Sequence, residues 1–193
     1  MNDKHITLAY GSGGDKYHQL VKEVFVPAFA NPYLQSLSDS ALCPIDNKKI
    51  AMTTDSFVIK PLFFPGGDIG RVAVCGTVND LAMSGARPLF LTTGMIIEAG
   101  FPVDELKTIC RSMAAAAANV AIVAGDTKIV DKGECDGIFI NTAGVGIFEL
   151  PQELSPALVE PGDVIIASGE IGTHGMAVMT ARHNLDFSPP IAS

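Results

Sequence analysis

The sequence has little positive charge and no closely spaced cysteines. It contains 13 Lys and Arg against 21 Asp and Glu, which gives a formal net charge of −8 over 193 residues. This balance argues against nucleic acid or an anionic membrane surface as the main partner. The four cysteines stand far apart, without a C-x-x-C pair. That spacing fits neither a zinc site nor a disulfide framework, and it indicates reduced thiols in the cytoplasm.

Long apolar runs are missing as well. No segment contains the ~18 uninterrupted apolar residues that a membrane-spanning helix needs. The first fourteen residues lack the apolar region of a secretory signal. We therefore expect a soluble cytoplasmic protein. The sequence is instead rich in apolar residues (48%) and in glycine (19 residues), a composition typical of a well-buried globular chain.

The hydrophobic pattern predicts one complete domain over residues 1–150. Helices are expected over 15–29, over 69–84 and from residue 102 onward, and strands over 48–59, 89–98, 120–130 and 137–148. The order, roughly α-β-α-β-α-β-β, predicts an α+β, sandwich-like fold. The strands carry apolar runs with little alternation, such as LFLTTGMII and GIFINTAGVGIF. Helices can cover one face of such a sheet, and we expect a second subunit to cover the other, giving a homodimer.

The remaining residues, 151–193, predict a linker and the start of a second domain. The segment 151–163 carries three prolines, as linkers between domains often do. Residues 164–169, VIIASG, predict a buried strand, and a helix is expected to begin at GTHG. One strand and one helix cannot enclose a core, so we expect this second domain to be truncated.

Four aspartates, Asp39, Asp55, Asp80 and Asp126, recur in one kind of setting. Each stands beside small or hydroxyl residues, within or at the end of an apolar run. A carboxylate buried alone is costly, and a shared hard cation such as Mg²⁺ would account for all four together. The alternative is that they cap helices and turns, because SDS and TTDS both resemble capping sequences.

A glycine-rich segment, YGSGGD (10–15), precedes the first predicted helix. Backbone N–H groups of Ser12, Gly13 and Gly14 could close on a phosphate at the positive end of that helix. The segment has neither Walker nor G-x-G-x-x-G spacing, and a plain loop is the alternative. His174, between two glycines at the start of a later helix, could place its imidazole over a ligand.

Further polar residues accompany the aspartates. Thr77 and Asn79 flank the helix face that carries Asp80, within an otherwise apolar stretch, and they indicate a ligand site. Packing of this helix through Gly76 is the alternative. Lys128 lies two residues beyond Asp126, so both share a strand face. A lysine there would contact phosphate or assist proton transfer, although a surface ion pair explains it as well.

Taken together, the motifs resemble one known family. GSGG, TTDSFVIKPLFFPGGDIG, GTVNDLAMSGARP, AGDTKIV and DGIFINTAGVG are similar to the HypE family of hydrogenase maturation enzymes. HypE belongs to the superfamily typified by aminoimidazole ribonucleotide synthetase (PurM-like). The resemblance runs over nearly all 193 residues. It implies a two-domain α/β protein that dimerises through the sheets of its first domain, with ATP in the cleft beside that interface.

The resemblance also implies a chemistry. HypE enzymes use ATP to dehydrate a thiocarboxamide, carried on their own C-terminal cysteine, to a thiocyanate. The resulting cyano group goes to the iron of [NiFe]-hydrogenase. The magnesium and phosphate aspartates of the family map onto Asp39, Asp55 and Asp80, with Asp126 close by. Mg²⁺ and Lys128 would offset charge on the transferring phosphate. The implied partners are the carbamoyltransferase HypF and the HypC–HypD complex.

Some features depart from the family. The terminal cysteine and most of the second domain are absent, and GTHG stands where HypE proteins often have GDHG. We therefore expect this chain by itself to be inactive. The alternatives are a sister enzyme or a non-catalytic module for dimerisation and docking. Selenophosphate synthetase would have a reactive Cys or Sec before Cys43, and thiamine-monophosphate kinase usually has GDDAA where this chain has LSDSA.

Overall fold

A five-stranded sheet forms the centre of the protein. The computed structural model describes residues 6–7, 9, 14–29, 31–32 and 37–193. The strands of this sheet are β1 (Ala41–Ile45), β2 (Lys48–Phe57), β5 (Ala86–Glu98), β6 (Ala121–Val130) and β7 (Ile138–Phe148), and a small hairpin is formed by β3 (Phe63–Phe64) and β4 (Gly67–Asp68). The helices are α1 (Asp15–Leu20), α2 (Val26–Ala28), α3 (Ile69–Met83), α4 (Val103–Ala116) and α5 (Thr173–His183); a π-helical segment, Val21–Phe25, joins α1 to α2, and a 3₁₀ turn spans Pro156–Leu158.

The strand order of the sheet is β1-β2-β7-β5-β6. All neighbours are antiparallel except β5 and β6, which are parallel. Parallel strands need a long crossover connection, and α4 lies in the connection between β5 and β6. Consequently β6 lies at one edge of the sheet, and β7 and β5 separate it from β2.

Helix α3 covers one face of the sheet. Its N-terminus is capped by Asp68, whose carboxylate accepts from the N–H groups of Gly70 (2.7 Å) and Arg71 (3.1 Å). The helix packs on β2, β7 and α4. The main core lies between these elements, and its buried members are Phe57, Ile69, Ala73, Val74, Leu91, Ile97, Ile109, Met113, Ile138 and Ile140.

A glycine on β7 allows α3 to approach the sheet closely. A Cβ at Gly144 would lie 2.8 Å from Cγ2 of Thr77 and 2.9 Å from Cδ1 of Leu81. Both side chains belong to α3 and are fully buried. The distance between helix and sheet therefore depends on the missing side chain at position 144.

Apolar side chains are exposed on the opposite face of the sheet. Met52, Phe90 and Ile96 are each more than 40% exposed. Strand β6 is exposed along its length, except for its last residue.

Among the residues that the structure describes, no helix has both the length and the apolar character that crossing a bilayer requires.

The predicted α+β fold is confirmed, and so are the four predicted strands, with shifted ends. Several elements differ from the prediction, among them the helix expected over 15–29, which is interrupted by the π-helical segment Val21–Phe25. The pattern missed β1, because a five-residue strand is too short to show a period. The strand predicted over 164–169 is wrong: this segment forms no strand within the described residues, and Ile165 is 98% exposed. A β-strand needs a neighbour for its backbone groups, and none lies beside it. The domain division at residue 150 stays a prediction.

Candidate functional site

Two of the predicted aspartates meet at Thr53 on strand β2. The Thr53 hydroxyl lies 2.9 Å from the backbone oxygen of Asp39 and 3.1 Å from Oδ2 of Asp80. The register of the β1–β2 hairpin, in which Ala41 pairs with Met52, brings Asp39 beside Thr53. Asp55 lies two residues beyond Thr53 on the same strand, so its side chain shares the face that α3 covers.

The charges of this group act on Asp80. Burial raises the pKa of the Asp80 carboxyl, and the nearby charges of Asp55 and Asp39 raise it further, while the hydrogen bond from Thr53 opposes both. The charges of Asp55 and Asp39 therefore lie near enough to oppose the ionisation of Asp80. A cation bound among them would remove that repulsion. We name Asp39, Asp55 and Asp80 the carboxylate trio.

Gly76 of α3 lies next to Asp55. A Cβ at this position would lie 3.5 Å from Oδ2 of Asp55 and only 2.9 Å from Cζ of Phe57. The other oxygen of Asp55 accepts from the N–H of Ser56 at 2.8 Å. Glycine thus lets α3 lie against β2 at this point and leaves Oδ2 without a side chain in front of it.

Oxygen donors of this kind suit a hard cation, but the trio is not a closed metal site. Within the described part of the chain, no three His, Cys, Asp or Glu side chains are grouped tightly enough to hold a metal ion by themselves. Mg²⁺ commonly takes only one or two carboxylates and completes its shell with water and substrate phosphates. The donor set therefore fits a cation that arrives with a phosphate-bearing ligand.

The fourth aspartate does not join the trio, so the expected convergence of all four is wrong within one chain. Asp126 pairs with Gly94 of β5, and Gly94 pairs with Asn141 of β7. The amide of Asn141 contacts Ser56 Oγ at 3.0 Å, on the face of β2 that points away from Asp55. Asp126 therefore lies on the face of the sheet opposite to the trio, with β7 and β5 in between.

Lys128 follows Asp126 onto that uncovered face. It pairs with Ile96 of β5, whose side chain is exposed. The sequence correctly indicates that Lys128 and Asp126 share a face, but it contains no information about which face this is relative to α3. Within one chain, neither residue can act on a ligand held at the trio.

Thr77, which was expected to belong to the ligand site, has a buried side chain. Its side chain is fully inaccessible, and its hydroxyl lies 2.5 Å from that of Thr142 on β7. Thr142 in turn contacts the backbone oxygen of Ala73 at 2.9 Å. The hydrogen bonds of these two hydroxyl groups link α3 to β7. Asn79 is exposed on the same helix, and its role stays a prediction.

The remaining predicted residues lie elsewhere. The His174 ring packs edge-on against Phe64 at 5.4 Å, and its Nδ1 lies 3.1 Å from Oγ of Ser193. His174 thus contacts the loop around PLFFPGGD. Gly14 is the N-cap residue of α1, while Ser12 and Gly13 lie outside the described residues. Thr53 is the site residue that the sequence reasoning missed. Its position two residues before Asp55 in a predicted strand was the available signal.

Comparison with known proteins shows the family to which this chain belongs. Residues 37–148 match the family model of the AIR synthase related protein, N-terminal domain, and the chain belongs to this family. The HypE resemblance is confirmed by curated relatives. Carbamoyl dehydratase HypE of Rhizobium leguminosarum bv. viciae is 47% identical over 190 residues, which cover 97% of this chain and 54% of that protein. The chain spans about half the length of the curated relatives it matches.

Solved structures agree with the sequence relatives. A crystal structure of a HypE–HypF complex matches with a TM-score of 0.83 and 57% identity, covering 90% of this chain and 57% of the matched one. A crystal structure of HypE in complex with ATP matches with a TM-score of 0.74 and 44% identity, covering 98% of this chain and 57% of the other.

Proposed function

We propose that this chain is the ATP-binding part of a HypE-type carbamoyl dehydratase, and that the trio holds Mg²⁺ bound to the nucleotide. The observation that carries the proposal is the trio itself. Thr53 joins Asp39 to Asp80, and the neighbouring carboxylates raise the pKa of Asp80. The ATP-bound relative supports ATP as the nucleotide. The 47% identity to a curated carbamoyl dehydratase favours HypE over selenophosphate synthetase and thiamine-monophosphate kinase.

The proposed overall reaction converts a cysteine thiocarboxamide, R–S–CO–NH₂, to a thiocyanate, R–S–C≡N. Bound ATP supplies the phosphoryl group that turns the amide oxygen into a leaving group. The residues of this chain would position the nucleotide. Asp39, Asp55 and Asp80 would orient the cation, and Gly76 would leave space beside Asp55. The thiocarboxamide is proposed to be carried on a C-terminal cysteine outside these residues, so this chain alone is not expected to complete the reaction.

Lys128 remains the proposed catalytic residue, and Asp126 a proposed nucleotide contact. Both lie on the uncovered sheet face, away from the trio of their own chain. They can therefore contribute only at a site completed by another chain or by further parts of the protein. A homodimer through this face is the arrangement we propose. HypF and the HypC–HypD complex are the proposed partners in the cytoplasm, the former because a HypE relative forms a complex with it.

The test is thermal unfolding with ATP, in the presence of Mg²⁺ and in EDTA. A ligand that binds only the native state raises the melting temperature. At a ligand concentration of 100 times Kd, it increases the free energy of unfolding by about 2.7 kcal/mol. We expect this rise only with Mg²⁺. A shift of equal size in EDTA would show that the carboxylates do not hold a cation. No shift in either condition would favour the competing function, a module that only dimerises and docks other maturation factors.

A further inference from the structure

Ser40, next to Asp39, has a hydroxyl group without a partner. The residue is 6% exposed, and its Oγ makes no hydrogen bond within the described part of the chain. Buried hydroxyls in folded proteins nearly always have a partner, because burying an unpaired polar group is costly. Among the described residues, Oγ1 of Thr93 is a second such exception, but Ser40 is the one that adjoins the trio.

The strand register shows where the Ser40 side chain points. On β1, Leu42 pairs with Ala51 of β2, and both pack around Leu81 of α3. Ser40 directly precedes β1 and is buried, whereas the other face of the sheet is open beside it, at Met52. Its side chain therefore lies on the side of the sheet that α3 covers. Continuing the register by two positions places it beside Thr53. The Ser40 side chain is thus buried next to Thr53, whose hydroxyl contacts Asp80.

No group of the described protein satisfies the Ser40 hydroxyl. Thr53 has one hydroxyl hydrogen, and two acceptors, Asp39 O and Asp80 Oδ2, already lie within 3.1 Å of its oxygen. Its hydrogen is therefore committed to the site. A serine hydroxyl both donates and accepts, so an oxygen atom of a bound water or phosphate would satisfy it.

We propose that Ser40 is a further ligand-binding residue of this site. Its hydroxyl forms a hydrogen bond with an oxygen atom in the coordination shell of the cation at the trio. That oxygen belongs to a cation-bound water or to a phosphate of the nucleotide. The proposal rests on the proposed function, because it requires that the trio binds Mg²⁺ with ATP. It explains the empty hydrogen-bonding capacity of Ser40 as capacity reserved for the ligand.

The test compares two buried serines. Ser84 is 8% exposed, and its hydroxyl donates to the backbone oxygen of Leu81 at 2.9 Å. Ser40→Ala removes an unpaired hydroxyl, so the melting temperature without ligand should stay the same or rise. Its Kd for Mg·ATP, measured by calorimetry, should weaken about tenfold, the value of one hydrogen bond. Ser84→Ala should show the reverse: a lower melting temperature and an unchanged Kd.

Titration with Mn²⁺ alone, followed by electron paramagnetic resonance, separates the two sources of the oxygen. Weaker Mn²⁺ binding by Ser40→Ala supports a cation-bound water. Unchanged Mn²⁺ binding with weaker Mg·ATP binding supports a phosphate oxygen. The same Mg·ATP Kd for Ser40→Ala and the wild type would overturn the proposal, and so would equal weakening in both serine variants. If the wild type fails to bind Mg·ATP, the proposed function is wrong and the role of Ser40 falls with it.

Discussion

At the scale of single residues, the charge of Asp80 has opposite effects on ligand binding and on stability. Its carboxylate is partly buried beside the like charges of Asp55 and Asp39, and its pKa is raised for these reasons. A raised carboxyl pKa means that the ionised form opposes folding at neutral pH. Removing this charge should therefore stabilise the native chain without ligand, whereas binding of a cation requires the charge.

The variant Asp80→Asn separates these two effects. It keeps the size of the side chain and removes the charge. Mg·ATP affinity should fall on the order of 10–100-fold, the usual loss when a residue that supports a metal site is altered. The melting temperature without ligand should stay the same or rise. Calorimetry and thermal unfolding measure the two quantities, with Asp186→Asn, an exposed aspartate outside the trio, as the control. Unchanged ATP affinity of Asp80→Asn would refute the site.

The residues of the trio could be predicted from the sequence, but their partners could not. Asp39, Asp55 and Asp80 share a polar setting that a metal explains. The sequence contains no sign that Asp126 is separated from them, because strand order depends on long-range pairing. The burial of Thr77 cannot be read from the sequence for the same reason. A threonine among apolar residues on a helix resembles a ligand contact until Thr142, 65 residues later, is found beneath it.

At the scale of elements, the contact between α3 and β7 is the critical packing interface. Thr77 and Leu81 of α3 occupy the space above Gly144. A methyl group at that position would overlap both side chains. It would either push the helix off the sheet or force the side chains from their preferred rotamers.

The prediction is that Gly144→Ala lowers the free energy of unfolding by about 1–3 kcal/mol, the usual cost of overpacking a core. Denaturant unfolding measures it. The matched control is Gly169→Ala, since a Cβ at Gly169 has no neighbour within 4 Å. Similar stabilities for both alanine variants would mean that α3 can move away from the sheet without cost. Because Gly144 lies below the helix that carries Asp80, Mg·ATP affinity should fall in Gly144→Ala as well.

An ion pair connects the start of β5 to the residue that follows β7. Nη2 of Arg87 lies 2.7 Å from Oε1 of Glu149, and the pKa of Glu149 is lowered, first by this hydrogen bond. A lowered carboxyl pKa contributes stability at pH values above the unfolded pKa, and this stability is lost as the pH falls through the folded pKa.

Glu149→Gln should therefore lower the melting temperature slightly above pH 4.5, the ordinary value for this carboxyl. The difference from the wild type should shrink as the pH falls below 4.5. The pair is solvent-exposed, so the effect is small and should also decrease in high salt. Melting curves across pH at two salt concentrations measure both trends, and a difference that persists in acid would show that the glutamate stabilises the fold in another way.

The helices were readable from the sequence because their apolar residues recur with a helical period, and most strands because they are apolar runs rich in Ile, Val and Thr. Helix α4 is an example: Ile109 and Met113, four residues apart, are both buried in the core. Residues 164–169 show the limit of this reasoning. Val164, Ile165 and Ile166 have the composition of a buried strand, but burial requires a partner strand, and the part of the chain that the structure describes offers none.

At the scale of the whole molecule, the sheet face opposite α3 remains to be explained. Phe90, Met52 and Ile96 are 48%, 47% and 43% exposed on strands of one sheet, and β6 at its edge is exposed along nearly its whole length. Long, open edge strands and uncovered apolar faces lead to association unless something covers them. A second copy with two-fold symmetry would cover this face with the same face.

We therefore predict a homodimer through this face at micromolar concentration, measured by light scattering. Ile96→Glu places a charge among the exposed apolar side chains and should shift the protein towards monomer without loss of helix content. Val103→Glu is the control, because Val103 is 64% exposed at the start of α4, away from this face. The competing view is that further parts of the protein cover the face, in which case these residues alone would form polydisperse aggregates. A monodisperse wild-type monomer would refute the interface, because the exposed apolar side chains of β2 and β5 would then face water without association.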